Sequence, residues 1–147
     1  MSQDKSITIG CDHAGFPYKK VIVEWLLKDG WEVQDLGTYS PESVDYPDFV
    51  HPVAENIEKG LSPMGVLICG TGNGVAMTAN KHGKVRAAVC WNENISRLAR
   101  EHNDSNIIAL PARFISQEDA LRFVQIFVNT DFEGGRHLRR VNKISKC

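Results

Sequence analysis

The chain has 147 residues, 42% of them hydrophobic and 24% charged, the size and make-up of one domain with a real core. Lys and Arg total 17 against 18 Asp and Glu, so the net charge is −1, which argues against a protein that works by gripping nucleic acid or an anionic membrane. Disorder, collagen and small disulfide scaffolds are excluded on these numbers, and no apolar run approaches the ~20 residues that span a bilayer.

Short apolar runs alternate with longer amphipathic stretches. Ser6 to Gly10 reads as a first strand, and Phe16 to Asp29 as a helix with Pro17 in its first turn. Val21, Ile22, Trp25 and Leu26 fall on one face of that helix, and Gly30 stops it. Trp31 to Asp35 is a second strand, and residues 37–48, rich in Gly, Ser, Pro and Asp, are loop. Phe49 to Lys59 is a helix closed by Gly60, and Gly65 to Cys69 is a continuously apolar strand of the kind buried in a parallel sheet. Next come a helix from Gly72 to Lys81, a strand from Arg86 to Cys90 and a helix from Asn92 to Arg100. Asn106 to Leu110 gives the fifth strand, and Ser116 to Asn129 a helix whose Ser116 and Asp119 suit its N-terminus. A basic helix from about Gly135 to Lys146 closes the chain. Five βα units in series predict a single domain over residues 1–147. Its expected form is a Rossmann-like three-layer α/β/α sandwich with a five-stranded parallel sheet, doubly wound, and a C-terminal basic helix. Any ligand crevice is expected at the C-terminal ends of the strands.

That rule selects the reactive residues. Cys11-Asp-His13 follows strand one, Cys69-Gly-Thr-Gly-Asn-Gly74 strand three, Trp91 and Asn92 strand four, and Pro111-Ala-Arg113 strand five. Glycines at 70, 72 and 74 let several N–H groups converge on one anion at a helix start. Val75 breaks the dinucleotide fingerprint and no Gly-Lys-Ser/Thr follows, so a nucleotide reading is weak and a tight strand-to-helix turn is the alternative. Cys69 stands beside that turn, where a thiolate is favoured and can act as base or nucleophile; burial as a small hydrophobe is the competing reading. Cys11 reads as packing, while Cys90 and Cys147 offer no argument for function. No C-x-x-C or zinc-like spacing occurs, and the opening Met-Ser-Gln-Asp-Lys lacks an apolar leader, so reduced thiols in the cytoplasm are expected. Arg136 and Arg140 are four apart on one helical face and suit a phosphate monoester, with a solvated basic face as the alternative. His13 and His102 are further polar candidates, and Tyr46 sits in a turn that covers the crevice. His51 and His82 stand beside helix ends with no evident partner and read as surface.

In order along the chain, Gly10-Cys-Asp-His-Ala-Gly-Phe16, Ser43-Val-Asp-Tyr-Pro-Asp48, Cys69-Gly-Thr-Gly-Asn-Gly74, Ala79-Asn-Lys81, Val85-Arg-Ala-Ala88, His102-Asn-Asp104 and Glu133-Gly-Gly-Arg-His137 resemble the ribose-5-phosphate isomerase B (RpiB/LacAB) family of sugar-phosphate isomerases. The resemblance covers nearly the whole chain. It implies interconversion of D-ribose 5-phosphate and D-ribulose 5-phosphate through an enediolate, without metal or organic cofactor. It assigns Cys69 as the base, Thr71 as the hydroxyl beside the reacting oxygens, and the N–H groups of Gly70, Thr71, Gly72, Asn73 and Gly74 as the anion hole. His102 corresponds to the residue that opens the furanose ring, Asp12 and Tyr46 line the sugar site, and Asn103 contacts the sugar. His13, Arg113, Arg136, His137 and Arg140 match phosphate contacts. Some relatives carry a glutamate at position 75 in place of the cysteine base; this chain has Val75 and Cys69.

The family's site lies between two subunits, so the resemblance implies a homodimer or tetramer, with His102 and the tail helix supplied by the partner. Three other readings stay open: a six-carbon sugar-phosphate isomerase, a non-catalytic phosphate-binding module, and a thiol redox protein using Cys11 and Cys69, which both end strands. Retention of Cys69, Thr71, His102 and both arginines favours the self-sufficient pentose enzyme.

Overall fold

The computed structural model describes residues 4–147; the first three residues, part of the opening expected to lack an apolar leader, lie outside them. Along the chain run β1 (Ser6–Cys11), α1 (Phe16–Lys28), β2 (Glu32–Asp35), α2 (Pro47–Glu58), β3 (Met64–Cys69), α3 (Asn73–Ala79), β4 (Ala87–Val89), α4 (Glu93–Asn103), β5 (Ile107–Pro111), α5 (Gln117–Val128) and α6 (Arg136–Lys143). All strand pairs are parallel, in the order β2-β1-β3-β5-β4. The doubly wound α/β/α sandwich expected from the alternation is therefore the observed architecture. The order itself was not legible: β5 returns to lie between β3 and β4, which leaves three-residue β4 at the edge.

Strand alternation decides which helices cover which face. Ile7, Ile9 and Cys11 of β1, Val66 and Ile68 of β3, and Ile108 and Leu110 of β5 face one way, against Ile22 and Leu26 of α1 and Phe123, Val124 and Phe127 of α5. Leu67 and Cys69 of β3 and Ile107 and Ala109 of β5 face the other way, against α2 and α3. Each fully buried Ile, Leu or Phe contributes roughly 1.5–3 kcal/mol relative to exposure. Cys11 and Cys69 therefore point to opposite faces of the sheet, and all four cysteines are free. The redox reading fails on that geometry, because side chains on opposite faces of a sheet cannot meet in a disulfide.

Helix ends follow local chemistry. Asn92 accepts from the Ile95 N–H at 2.8 Å and Ser116 from the Asp119 N–H at 3.0 Å, capping α4 and α5. α4 runs three residues past the predicted Arg100, to Asn103, and closes on Asp104 in the left-handed region at φ 47°. α2 begins two residues early at Pro47, so Tyr46 becomes its N-terminal flank rather than part of a loop. α6 is shorter than expected and stops at Lys143.

On α1 the buried stripe is Lys19, Ile22 and Leu26; Trp25 is half-buried against the core and Val21 lies at its flank. The Lys19 ammonium donates to Asp35 Oδ1 at 2.7 Å and to the Thr38 carbonyl. A buried charge is tolerated only when so partnered, and this one ties α1 to the start of the 37–46 loop. Gly15, at the head of α1, lies so close to β3 that an added Cβ would stand 2.7 Å from Ile68 Cβ and 2.8 Å from its carbonyl oxygen. Gly15→Ala is expected to cost about 1–3 kcal/mol through this overlap, read as a lower urea midpoint; an unchanged midpoint would contradict the close approach.

Candidate active site

The sheet winds outward in both directions from β1 and β3, which makes their C-terminal ends the topological switch point where a doubly wound fold opens a crevice. Two loops leave that point. After β1, Asp12 turns back on its own loop, its Oδ1 accepting from the N–H groups of Ala14 at 2.9 Å and Gly15 at 3.2 Å. His13 Nδ1 accepts from the Val44 N–H at 3.3 Å, so the neutral ring carries its proton on Nε2, and the histidine braces the loop that leads to Tyr46.

After β3, the chain makes the Gly-rich turn. Cys69 is buried, and its Sγ accepts the N–H of Gly72 at 3.2 Å. That orientation requires Gly72 at φ 75°, a conformation side-chain-bearing residues rarely adopt. Asn73 donates its N–H to Thr71 Oγ1 at 3.2 Å. Two of the five anion-hole donors expected from the sequence are thus engaged locally. Among the described residues, the N–H groups of Gly70, Thr71 and Gly74 have no partner, so these three are free to receive an anion. Tyr46 closes on Gly74, where a Cβ would fall 2.5 Å from the ring, and Arg113 folds over Gly70, 3.1 Å from the equivalent position. Val75 is fully buried in the layer that holds Cys69.

Asp12, His13, Tyr46, the 69–74 turn and Arg113 therefore converge on one crevice. His102, Asn103, Arg136, His137 and Arg140 do not join them. α4 starts at the C-terminal end of β4 and runs back, so His102 lies beside Ser105 at the entry to β5. β5 spans five residues, about 17 Å at 3.3 Å per residue, and that length separates the two groups within one chain. At the far end the two imidazoles of His102 and His137 stack with centroids 4.2 Å apart, and Glu133 Oε1 lies 3.6 Å from one Nε2 and 3.5 Å from the other. Arg136 and Arg140 are exposed on α6, with Arg140 reaching back to the Arg136 carbonyl at 3.4 Å.

Sequence reasoning missed two arrangements. Glu133, quoted only as part of a motif, is the carboxylate between the two histidines. His51 and His82 are not lone surface groups: His51 Nδ1 and His82 Nε2 are 2.7 Å apart, and His82 Nδ1 is 2.7 Å from Glu58 Oε1. The i, i+7 spacing of His51 and Glu58 on α2 held part of that signal; the position of His82 depends on the turn after α3.

Residues 7–144 match the family described as Ribose/Galactose Isomerase. The chain belongs to that family. It is 43% identical over 141 residues to the ribose-5-phosphate isomerase B of Escherichia coli, covering 96% of this chain and 95% of that one. The ribose-5-phosphate isomerase B structure from Clostridium thermocellum superposes with a TM-score of 0.94 at 48% identity, over 96% of this chain and 95% of the other. The Mycoplasma genitalium structure, described with bound ribulose-5-phosphate, gives 0.92 at 42% identity over 96% and 94%. Membership in this isomerase family agrees with the resemblance drawn from the seven ordered motifs.

Two other thiols, Cys11 and Cys90, are buried in the layer that packs on α1 and α5. Burial pushes Cys11 from its ordinary 9.0 up to about 11, against a smaller lowering by the Lys19 charge, and pushes Cys90 up to about 12. Both stay protonated at neutral pH and are poor nucleophiles. The unfolded chain releases these protons first, so their contribution to stability is present below pH 9.0 and is lost as pH rises toward 11 and 12. Melting temperature is expected to fall steadily above pH 9, less steeply in Cys90→Ala; parallel curves for the two proteins would contradict this assignment.

Proposed function

We propose that this chain interconverts D-ribose 5-phosphate and D-ribulose 5-phosphate. One observation carries the reading: a thiol at the switch point, held by the Gly72 N–H, faces a turn whose Gly70, Thr71 and Gly74 N–H groups are free. A proton α to a carbonyl is weakly acidic, so the reaction needs a base and fixed dipoles for the enediolate. Cys69 takes the proton from C2 and returns it to C1. The free N–H groups and the Thr71 hydroxyl receive the charge that develops on the oxygens, each donor worth about 3 kcal/mol. Asp12 and Tyr46 wall the sugar, and His13 and Arg113 meet the phosphate on this side. The family relationship and the ribulose-5-phosphate described in the Mycoplasma genitalium structure support this substrate.

His102, Asn103, Arg136, His137 and Arg140 lie too far away to touch the same sugar in one chain. We infer that a second copy supplies them, His102 opening the furanose ring and the arginines holding the phosphate. A two-fold pair makes two identical sites, each with one thiol half and one basic half. Unpaired thiols support a cytoplasmic setting.

Turnover of ribose 5-phosphate in chelator, without added cofactor, tests the reaction. Cys69→Ala is expected to lose about 10³-fold in kcat while still binding the sugar phosphate; undiminished turnover removes Cys69 as base. Wild type active only on galactose or allose 6-phosphate would shift the substrate class, and binding without any turnover would leave a phosphate-binding module. Mixing inactive Cys69→Ala with inactive His102→Asn is expected to restore about a quarter of the wild-type rate, since half of the random dimers then hold one intact site. No restoration under conditions where subunits exchange would place both residues in the same chain's site.

A further inference from the structure

The far-end cluster has the chemistry of a metal site. Among the described residues, His102, Glu133 and His137 are the one group of three side chains whose ligand atoms all lie within 4.8 Å of one another. The two histidine-to-glutamate separations, 3.6 and 3.5 Å, approach the ~3.3 Å edge of a tetrahedron with Zn–N and Zn–O bonds of about 2.0–2.1 Å. Two imidazoles and one carboxylate with an open position form a donor set that suits zinc and its neighbouring divalent first-row ions.

The backbone builds this geometry. The Glu133 N–H donates to the Glu101 carbonyl at 3.0 Å, and Arg100 Nε donates to the Thr130 carbonyl at 3.0 Å, so the 130–133 segment is stitched to the end of α4 beside His102. Gly134 and Gly135, at φ 70° and 54°, then turn the chain into α6, where the His137 N–H meets the Gly134 carbonyl at 3.1 Å. The rings are 15° from parallel and must tilt to aim both lone pairs at one ion. The His102 side chain, 39% exposed, and Glu133, 52% exposed, have room to move.

We propose that His102, Glu133 and His137 bind one divalent transition-metal ion, Zn²⁺ or a like ion, and that occupation withdraws His102 from ring opening. The second half rests on the isomerase reading. With its Nε2 lone pair on the ion, His102 can neither accept nor donate the proton that ring opening requires. Turnover and metal occupancy then exclude each other.

The test titrates the metal-free full-length chain with Co²⁺ and follows its visible d–d absorption. One Co²⁺ per chain is expected, displaced by Zn²⁺, without the near-ultraviolet thiolate band that Cys69 or Cys147 would add. Glu133→Gln and His137→Gln should each weaken binding at least ~10-fold, and Cys147→Ser should leave it unchanged. No d–d spectrum, a thiolate band, or equal affinity in both ligand variants would overturn the site. Inhibition by Zn²⁺ should track Co²⁺ displacement, and Glu133→Gln should raise the inhibitory concentration in step with its weaker binding, each protein compared with its own metal-free rate. Full turnover at full occupancy overturns the second half and leaves the site. A chain that binds Co²⁺ but never turns over without metal overturns the isomerase reading instead, which the spectrum distinguishes.

Discussion

Everything at the crevice depends on the direction in which one side chain leaves β3. In a strand the side chains alternate, so Leu67 and Cys69 face α2 and α3 while Val66 and Ile68 face α1 and α5. A register slip of one residue would turn the thiol into the opposite layer, where burial holds Cys11 and Cys90 protonated. Pairing of β3 with both β1 and β5, at Cys11↔Ile68 and Cys69↔Pro111, fixes that register from either side. The Gly-rich turn can then present its amides to Sγ.

The crevice is assembled by loops that would be free to wander without their anchors. Lys19 pins the start of the 37–46 loop from beneath, through Asp35 and the Thr38 carbonyl, and His13 pins its later part through the Val44 N–H. At the end of that loop Tyr46 rests on Gly74, where any side chain would meet the ring. The buried ammonium, the histidine and the missing Cβ thus act on one object, the position of the tyrosine over the turn.

Much of this was legible in the residues. Apolar runs of four to six residues separated by amphipathic stretches specify a parallel sheet, and Gly30, Gly60 and the Ser116 cap mark helix boundaries that the structure keeps within a residue or two. Cys69 and Asp12 could be expected at one crevice because strand ends share an edge, whereas Tyr46, in a turn well past β2, was drawn to it by the family resemblance. Strand order could not be read, because whether β5 enters beside β3 or beyond β4 depends on packing of whole helices. The burial of Lys19 left no signal for a similar reason, because its partners, the Asp35 carboxylate and the Thr38 carbonyl, come from beyond its own helix. The His51–His82–Glu58 chain joins a helix to a turn 31 residues away, and only the i, i+7 spacing of His51 and Glu58 on α2 leaves a local trace of it.

The separation of the thiol cluster from the basic cluster has a further meaning for how such a chain lives in a cell. Under the two-copy arrangement proposed here, no molecule owns a working centre, and each is a donor to its neighbour. Catalysis then obeys mass action: specific activity falls on dilution below the dissociation constant of the pair, though no bond in either copy has changed. Newly made chains stay silent until they meet, which ties the onset of sugar-phosphate chemistry to the abundance of the protein itself.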